Sequence, residues 1–204
     1  MLIIGLTGPS GAGKGVVGAQ FAAYGIPSID TDRVYHELLV PPSACLDALV
    51  GRFGKGILSP DGTLDRRALA SIVFAAGHEE DHRALCEITH AFVLDEVRRL
   101  VRAYASEGSS LAAVAVDAPL LFESGYADEC DVTLAVLADR DLRRERIMVR
   151  DGLPSEAADA RLNAQKPDEF YTERADYVIR NDGDIDLVRR DVEQLLIERG
   201  VITP

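Results

Sequence analysis

Short apolar runs alternate along the chain with stretches whose apolar residues recur at three and four positions, and these two periods separate strands from helices. Leu2–Leu6 (LIIGL) is an apolar run of strand length, followed at once by the glycine-rich Gly8–Gly15. A helical pattern starts near Lys14 and runs through Phe21 to Tyr24, where Gly25-Ile26-Pro27 ends it. Ile26–Ile29, Leu111–Val116, Val132–Leu137 and Tyr177–Ile179 supply four more short strands. Helical segments follow at Asp141–Arg150, Ser155–Gln165 and Ile185–Arg199, with Pro154-Ser155 as a helix start and Gly200 as a stop. The alternation predicts an α/β fold, a parallel sheet covered by helices on both faces.

Between Thr31 and about Glu107 the rhythm breaks. This stretch carries helical patterns and the turn signals Pro41-Pro42 and Pro60-Asp61-Gly62, without a convincing strand. Leu69, Ile72 and Val73, then Leu85, Ile88 and Val93, read as the buried faces of helices. The expectation is one domain: core segments at about 1–30, 108–138 and 175–204, and a helical insertion at about 31–107.

Gly8-Pro9-Ser10-Gly11-Ala12-Gly13-Lys14 satisfies G-x-x-x-x-G-K and lies between a strand and a helix, as that motif requires. Glycines let successive N–H groups turn inward and approach phosphate oxygens without a Cβ in the way. The following helix adds its positive N-terminal end, and Lys14 a mobile charge for the β- and γ-phosphates. The alternative is a glycine turn that merely joins strand to helix; the complete motif in this context favours phosphate binding. A Ser or Thr whose hydroxyl helps to hold Mg²⁺ normally comes next, but here Gly15 and Val16 follow. Mg²⁺ would then rest on nucleotide phosphates, waters and carboxylates elsewhere. Loss of catalysis is the rival explanation.

Asp30 and Asp32 fall just after the second strand, at the sheet edge where ligands collect. Asp30 reads as a helix N-cap at least as well as a chemical group, whereas Asp32 is placed to accept a proton from an attacking hydroxyl or to position water on Mg²⁺. Asp117, at the end of the LAAVAV strand, is either a carboxylate backing Mg²⁺ or an ordinary loop carboxylate ahead of Pro119. Arg143, Arg146 and Arg150 share one helix face, interleaved with Asp139, Asp141, Glu145 and Asp151. For most of them a solvated face is the expectation, yet phosphoryl transfer needs cations on the migrating group. Arg146, Arg150 and Arg161 are the candidates for a closing lid, with Gly152-Leu153-Pro154 as its break. His36 and His90 read as hydrogen-bonded helix residues, and Asn181-Asp182-Gly183 as a turn that also puts backbone groups within reach of an adenine.

Charge narrows the ligand. Among 204 residues, 34 Asp and Glu outnumber 22 Lys and Arg, a formal charge of −12. That excludes a general nucleic-acid binder, and an anionic small substrate needs cations gathered locally. Cys45, Cys86 and Cys130 are odd in number, far apart and in no CxxC pattern, which favours a reducing, cytoplasmic compartment over a disulfide framework or zinc ribbon. No apolar run approaches the roughly 20 residues of a membrane span, and Met1–Leu6 is too short for a signal peptide. Oligomeric state is left open.

With these residues in view the chain resembles the dephospho-coenzyme A kinases over nearly its whole length. Beside the glycine loop, the resemblance rests on Asp30–Leu39 (DTDRVYHELL), Phe53–Leu58 (FGKGIL), Asp61–Arg66 (DGTLDR), Ala70–Phe74 and Ile88-Thr89-His90. Its most specific stretches are Asp117–Gly125 (DAPLLFESG) and Arg146–Gly152 (RIMVRDG), followed by Arg161 to Gln165 and Ala175–Ile179 with Asn181. It implies ATP-dependent phosphorylation of the ribose 3′-hydroxyl of dephospho-coenzyme A, giving coenzyme A and ADP in the last step of coenzyme A synthesis. It also implies a P-loop NTPase-type core with a parallel five-stranded sheet, a helical coenzyme A-binding insertion and a lid at about 139–170. Carried over, Gly11, Ala12, Gly13, Lys14, Gly15 and Val16 bracket the ATP phosphates, with Arg150 and Asn181 also at the nucleotide. Lys14 sits on the transferring group, Asp32 faces the acceptor hydroxyl and Arg146 is the lid arginine. Asp32, His90, Asp117, Leu120 and Arg161 form the substrate set, and Asp117 reaches Mg²⁺ through water. The chain departs from the family at Pro9-Ser10, at Gly15-Val16, and at Ala91, where a proline usually follows the histidine and bears on a helix start. Two other readings stay open: a cytidylate-type nucleoside monophosphate kinase, suggested by Gly8–Gly15, and a nucleotide-binding protein with little or no catalysis.

Overall fold

The computed structural model describes residues 1–75, 77–106 and 111–203. In chain order they form β1 (Leu2–Thr7), α1 (Lys14–Ala23), β2 (Ser28–Asp30), α2 (Thr31–Glu37), α3 (Ala44–Phe53), α4 (Arg66–Val73), α5 (Glu79–Ser106) and β3 (Ala113–Asp117). Then come β4 (Val132–Leu137), α6 (Arg140–Asp151), α7 (Ser155–Asn163), α8 (Asp168–Thr172), β5 (Tyr177–Arg180) and α9 (Ile185–Glu198). Every strand expected from the apolar runs is present, with its ends moved by two residues at most. The chain divides into two compact units, Met1–Ile29 with Tyr104–Pro204, and Asp30–Ala103. Residues 107–110, on which the expected close of the insertion and the opening of the next core segment fall, lie outside the described residues.

The first unit is built on a five-stranded parallel sheet in the order β2-β3-β1-β4-β5. β4 is buried at all six positions, and its alternation explains why. Val132, Leu134 and Val136 face a core shared with Val17 and Phe21 of α1 and Val188, Val192, Leu195 and Leu196 of α9. Ala135 and Leu137 face the opposite side, against Tyr171 with Phe122 and Phe170. A strand covered on both faces has no polar side, which is why its sequence reads as a continuous apolar run. On β1, a Cβ at Gly5 would stand 2.8 Å from both Cys130 Sγ and a Leu121 methyl, so only glycine fits that packing. Burial, helped by Glu129, Asp131 and Asp176, pushes the Cys130 thiol up to about 12, and burial also raises Cys45 and Cys86. All three are free thiols, without a disulfide framework.

The second unit packs helices around Leu39, Cys45, Leu49, Ile57, Leu69 and Val73, with Leu85, Ile88 and Phe92 partly buried against them. Its helices start where short polar side chains take up otherwise unsatisfied amides: Asp30 for α2, Ser43 for α3 and Asp65 for α4. The N-cap reading of Asp30 therefore holds, with its carboxylate accepting from the amides of Asp32 at 2.9 Å and Arg33 at 3.1 Å. Ala91 does not mark a helix start. α5 runs unbroken from Glu79 to Ser106 through it, because alanine keeps the amide and avoids the ring clash by which proline interrupts a helix.

Candidate active site

β1 lies at the middle of the sheet, and the chain leaves it toward β2 on one side before returning to β4 on the other. The crevice at such a reversal, beyond the strand ends, is where parallel sheets take ligands. The glycine loop occupies it. Gly8 (φ 140°) crosses β4 so closely that a Cβ would stand 2.2 Å from the Val136 carbonyl oxygen. At Gly11 (φ 80°) a Cβ would meet the Arg143 carbonyl oxygen at 2.6 Å, and at Gly13 (φ 97°) the Asn181 amide nitrogen at 2.0 Å. These three glycines are set by neighbouring backbone and side chains as well as by their positive φ.

Gly13 is also the residue from which α1 starts, and no side chain caps that end. By contrast, α2, α4, α6 and α9 each begin with an aspartate accepting first-turn amides. The uncapped end suits an anion, since its amides point outward with the positive end of the helix dipole behind them. Lys14 extends over the loop, its Nζ 3.3 Å from the Gly8 carbonyl oxygen and 3.9 Å from Asp117 Oδ1. The parallel register pairs Leu6 with Asp117, which brings the end of β3 beside the start of the loop.

Arginines close in on the same loop. The Arg146 guanidinium donates to the carbonyls of Gly11 (3.3 Å), Ala12 (3.4 Å) and Asn181 (3.0 Å). Asn181 is buried, and its side-chain amide donates to the Ala12 carbonyl at 2.9 Å. The turn after β5 thus meets the loop through a side chain. Arg143 departs further from expectation: it does not belong to a solvated face but is 6 % exposed. Its Nε donates to the Ser10 carbonyl at 3.1 Å and its Nη2 to Gln165 Oε1 at 2.7 Å. That burial holds its pKa below the usual arginine value, opposed by the nearby Asp168 carboxylate.

Arg150 donates to the Ser10 hydroxyl at 3.2 Å and pairs with Asp151, which also binds Arg161. The hydrogen bond from Arg150, with the charge of Arg161, holds the Asp151 carboxyl at about 2. A carboxylate depressed in this way keeps its contribution above the ordinary aspartate range near pH 4, and loses it as pH falls through about 2. A carbon-detected NMR titration is therefore expected to give Asp151 a midpoint near 2, and a midpoint near 4 would show that the arginine clasp does not form in solution.

Leu120 is exposed in the turn after β3. Asp32, on the first turn of α2, and His90, on α5, belong to the second unit and are described there by themselves: Asp32 is exposed and His90 half-buried. The described residues contain no group of three or more His, Cys, Asp or Glu side chains able to hold a metal ion. Mg²⁺ would have to be carried here on nucleotide phosphates, and Asp117, 3.9 Å from Lys14 Nζ, is a carboxylate able to face it. No described helix is long and apolar enough to cross a membrane.

Comparison with known proteins agrees with this geometry. The family model described as dephospho-CoA kinase matches residues 2–186. A dephospho-CoA kinase of Symbiobacterium thermophilum is 40 % identical over 193 residues, covering 95 % of this chain and 79 % of the relative. A Thermus thermophilus protein of known crystal structure superposes with a TM-score of 0.77 at 34 % identity, covering 97 % of both chains. The dephospho-CoA kinase from Campylobacter jejuni superposes with a TM-score of 0.59 at 25 % identity, covering 97 % of this chain and 96 % of that one. A phosphate-binding loop in this setting is common to many enzymes, but a match running from the first strand into the last helix is not, and the chain belongs to the dephospho-CoA kinase family.

Proposed function

We propose that this chain transfers the γ-phosphoryl of ATP to the ribose 3′-hydroxyl of dephospho-coenzyme A, releasing ADP and coenzyme A. The observation that carries this reading is the uncapped start of α1, with Lys14 held over the glycine loop beside Asp117. Phosphoryl transfer asks little covalent work of a protein, so these residues act by position and charge. The amides from Gly11 to Val16 hold the ATP phosphates, and Lys14 neutralises charge on the migrating group. Arg146, already at the loop, and Arg150 add cations to the same phosphates, while Asn181 fixes the loop they rest on. Asp32 takes the proton of the attacking hydroxyl, a role drawn from the family pattern, as are those of His90, Leu120 and Arg161 toward dephospho-coenzyme A. Asp117 would hold Mg²⁺ through water, and the bound ion would supply charge neutralisation on the β- and γ-phosphates. Closure of the lid would exclude water, which otherwise competes for the phosphoryl group.

The reading places the protein in the cytoplasm, where free thiols persist, acting on small molecules and not on nucleic acid, for which a charge of −12 is unsuited. An ADP-release assay with dephospho-coenzyme A beside CMP, UMP and AMP tests it. Dephospho-coenzyme A is expected to turn over fastest. Faster turnover of any monophosphate would replace this substrate. ATP binding by calorimetry without ADP release at any Mg²⁺ concentration would replace catalysis with simple nucleotide binding.

A further inference from the structure

The glycine loop is gripped on its outer arm at a residue that carries no glycine. Ser10 presents both backbone groups to partners far along the chain: its carbonyl accepts from Arg143 Nε at 3.1 Å, and its N–H donates to Gln165 Oε1 at 3.1 Å. The same Gln165 oxygen accepts from Arg143 Nη2 at 2.7 Å. Two donors converge on that one atom, so the side-chain amide is fixed with its oxygen, and not its NH₂, toward the loop. The result is a closed ring of three bonds through Ser10, Arg143 and Gln165. Two features make it stiff. The planar Arg143 fork is buried, with Asp168 as a further carboxylate partner at 3.5 Å. The backbone of α6 also presses on the loop, since a Cβ at Gly11 would stand 2.9 Å from Arg143 Cα.

We propose that Arg143 and Gln165 are positioning residues for ATP, fixing the outer arm of the phosphate loop so that its amides are already aimed when the nucleotide arrives. Gln165 follows α7, in the segment expected to serve as lid, so the same ring ties that segment to the loop. The proposal rests on the kinase reading for its substrate, while the ring itself has a readout that needs no nucleotide.

The experiment uses the full chain with Gln165→Ala, Arg143→Lys and the double variant, and with Arg140→Ala as control. Arg140 bonds Asn163 of α7 from the same helix as Arg143. Without nucleotide, hydrogen exchange of the Ser10 amide is expected to quicken at least tenfold in Gln165→Ala, with the melting temperature little changed. With substrates, the KM and Kd for ATP are expected to rise about tenfold, the KM for dephospho-coenzyme A to move less than twofold, and the double variant to be no worse than the more affected single. Arg140→Ala is expected to keep its ATP affinity within twofold. Unchanged Ser10 exchange in Gln165→Ala, or equal losses toward both substrates, would overturn the proposal. A wild-type protein that failed to phosphorylate dephospho-coenzyme A would overturn the kinase reading and leave the exchange result to decide the ring.

Discussion

Lys14→Ala is expected to lower kcat by at least about 10²–10³-fold, the range reached when one preorganised donor to a developing charge is removed. The fold should survive, because the Lys14 amine rests on one carbonyl at 3.3 Å and one carboxylate at 3.9 Å and is no part of the apolar core. A melting temperature within a degree or two of wild type, with ADP release near background, is the expected pair of results. Retained turnover would mean that the loop does not hold the reacting phosphates, and the assignment of the site would fall with it. Arg146 keeps its own place at the loop, on the carbonyls of Gly11, Ala12 and Asn181, so its charge adds to that of Lys14 and does not replace it.

Gly13→Ala should be more destructive to the structure. An alanine at φ 97° carries strain of about 1–3 kcal/mol. Its Cβ would also stand 2.0 Å from the Asn181 amide nitrogen. Relieving that overlap breaks the bond from Asn181 to the Ala12 carbonyl, a loss of about 1 kcal/mol. In a chain of this size the combined effect, about 2–4 kcal/mol, corresponds to a fall in melting temperature of roughly 4–16 °C. Differential scanning fluorimetry is expected to show that fall together with loss of the stabilisation that ATP gives the wild type. Adding Asn181→Ala removes the overlap but not the backbone strain, so the double variant should melt above Gly13→Ala alone. A Gly13→Ala protein with wild-type melting and ATP response would refute the close approach.

Most of the architecture was legible because it depends on local chemistry. β4 announces itself as an unbroken apolar run, since both of its faces are covered. The glycine loop is legible for a similar reason: its residues are contiguous and each has a separate steric duty. Arg143 was not legible. Its spacing from Arg146 and Arg150 is that of a solvated helix stripe, and what buries it lies at Ser10, 133 positions earlier, and at Gln165, 22 positions later. Asn181 shows the same limit, because the sequence Asn181-Asp182-Gly183 signals a turn whatever the amide does, and its partner is 169 positions away. Ala91 failed for the opposite reason: a comparison with proline suggested a boundary where local propensity allows a helix to continue.

The bond from Asn181 to Ala12 also joins the turn after β5 to the glycine loop, which is made long before it. During synthesis the N-terminal turn leaves the ribosome long before β5 exists, and until then it lacks the amide that fastens it. Nucleotide affinity should accordingly arrive late in translation, so that arrested nascent chains ending before Asn181 should pass over immobilised ATP while those extending beyond α9 are retained.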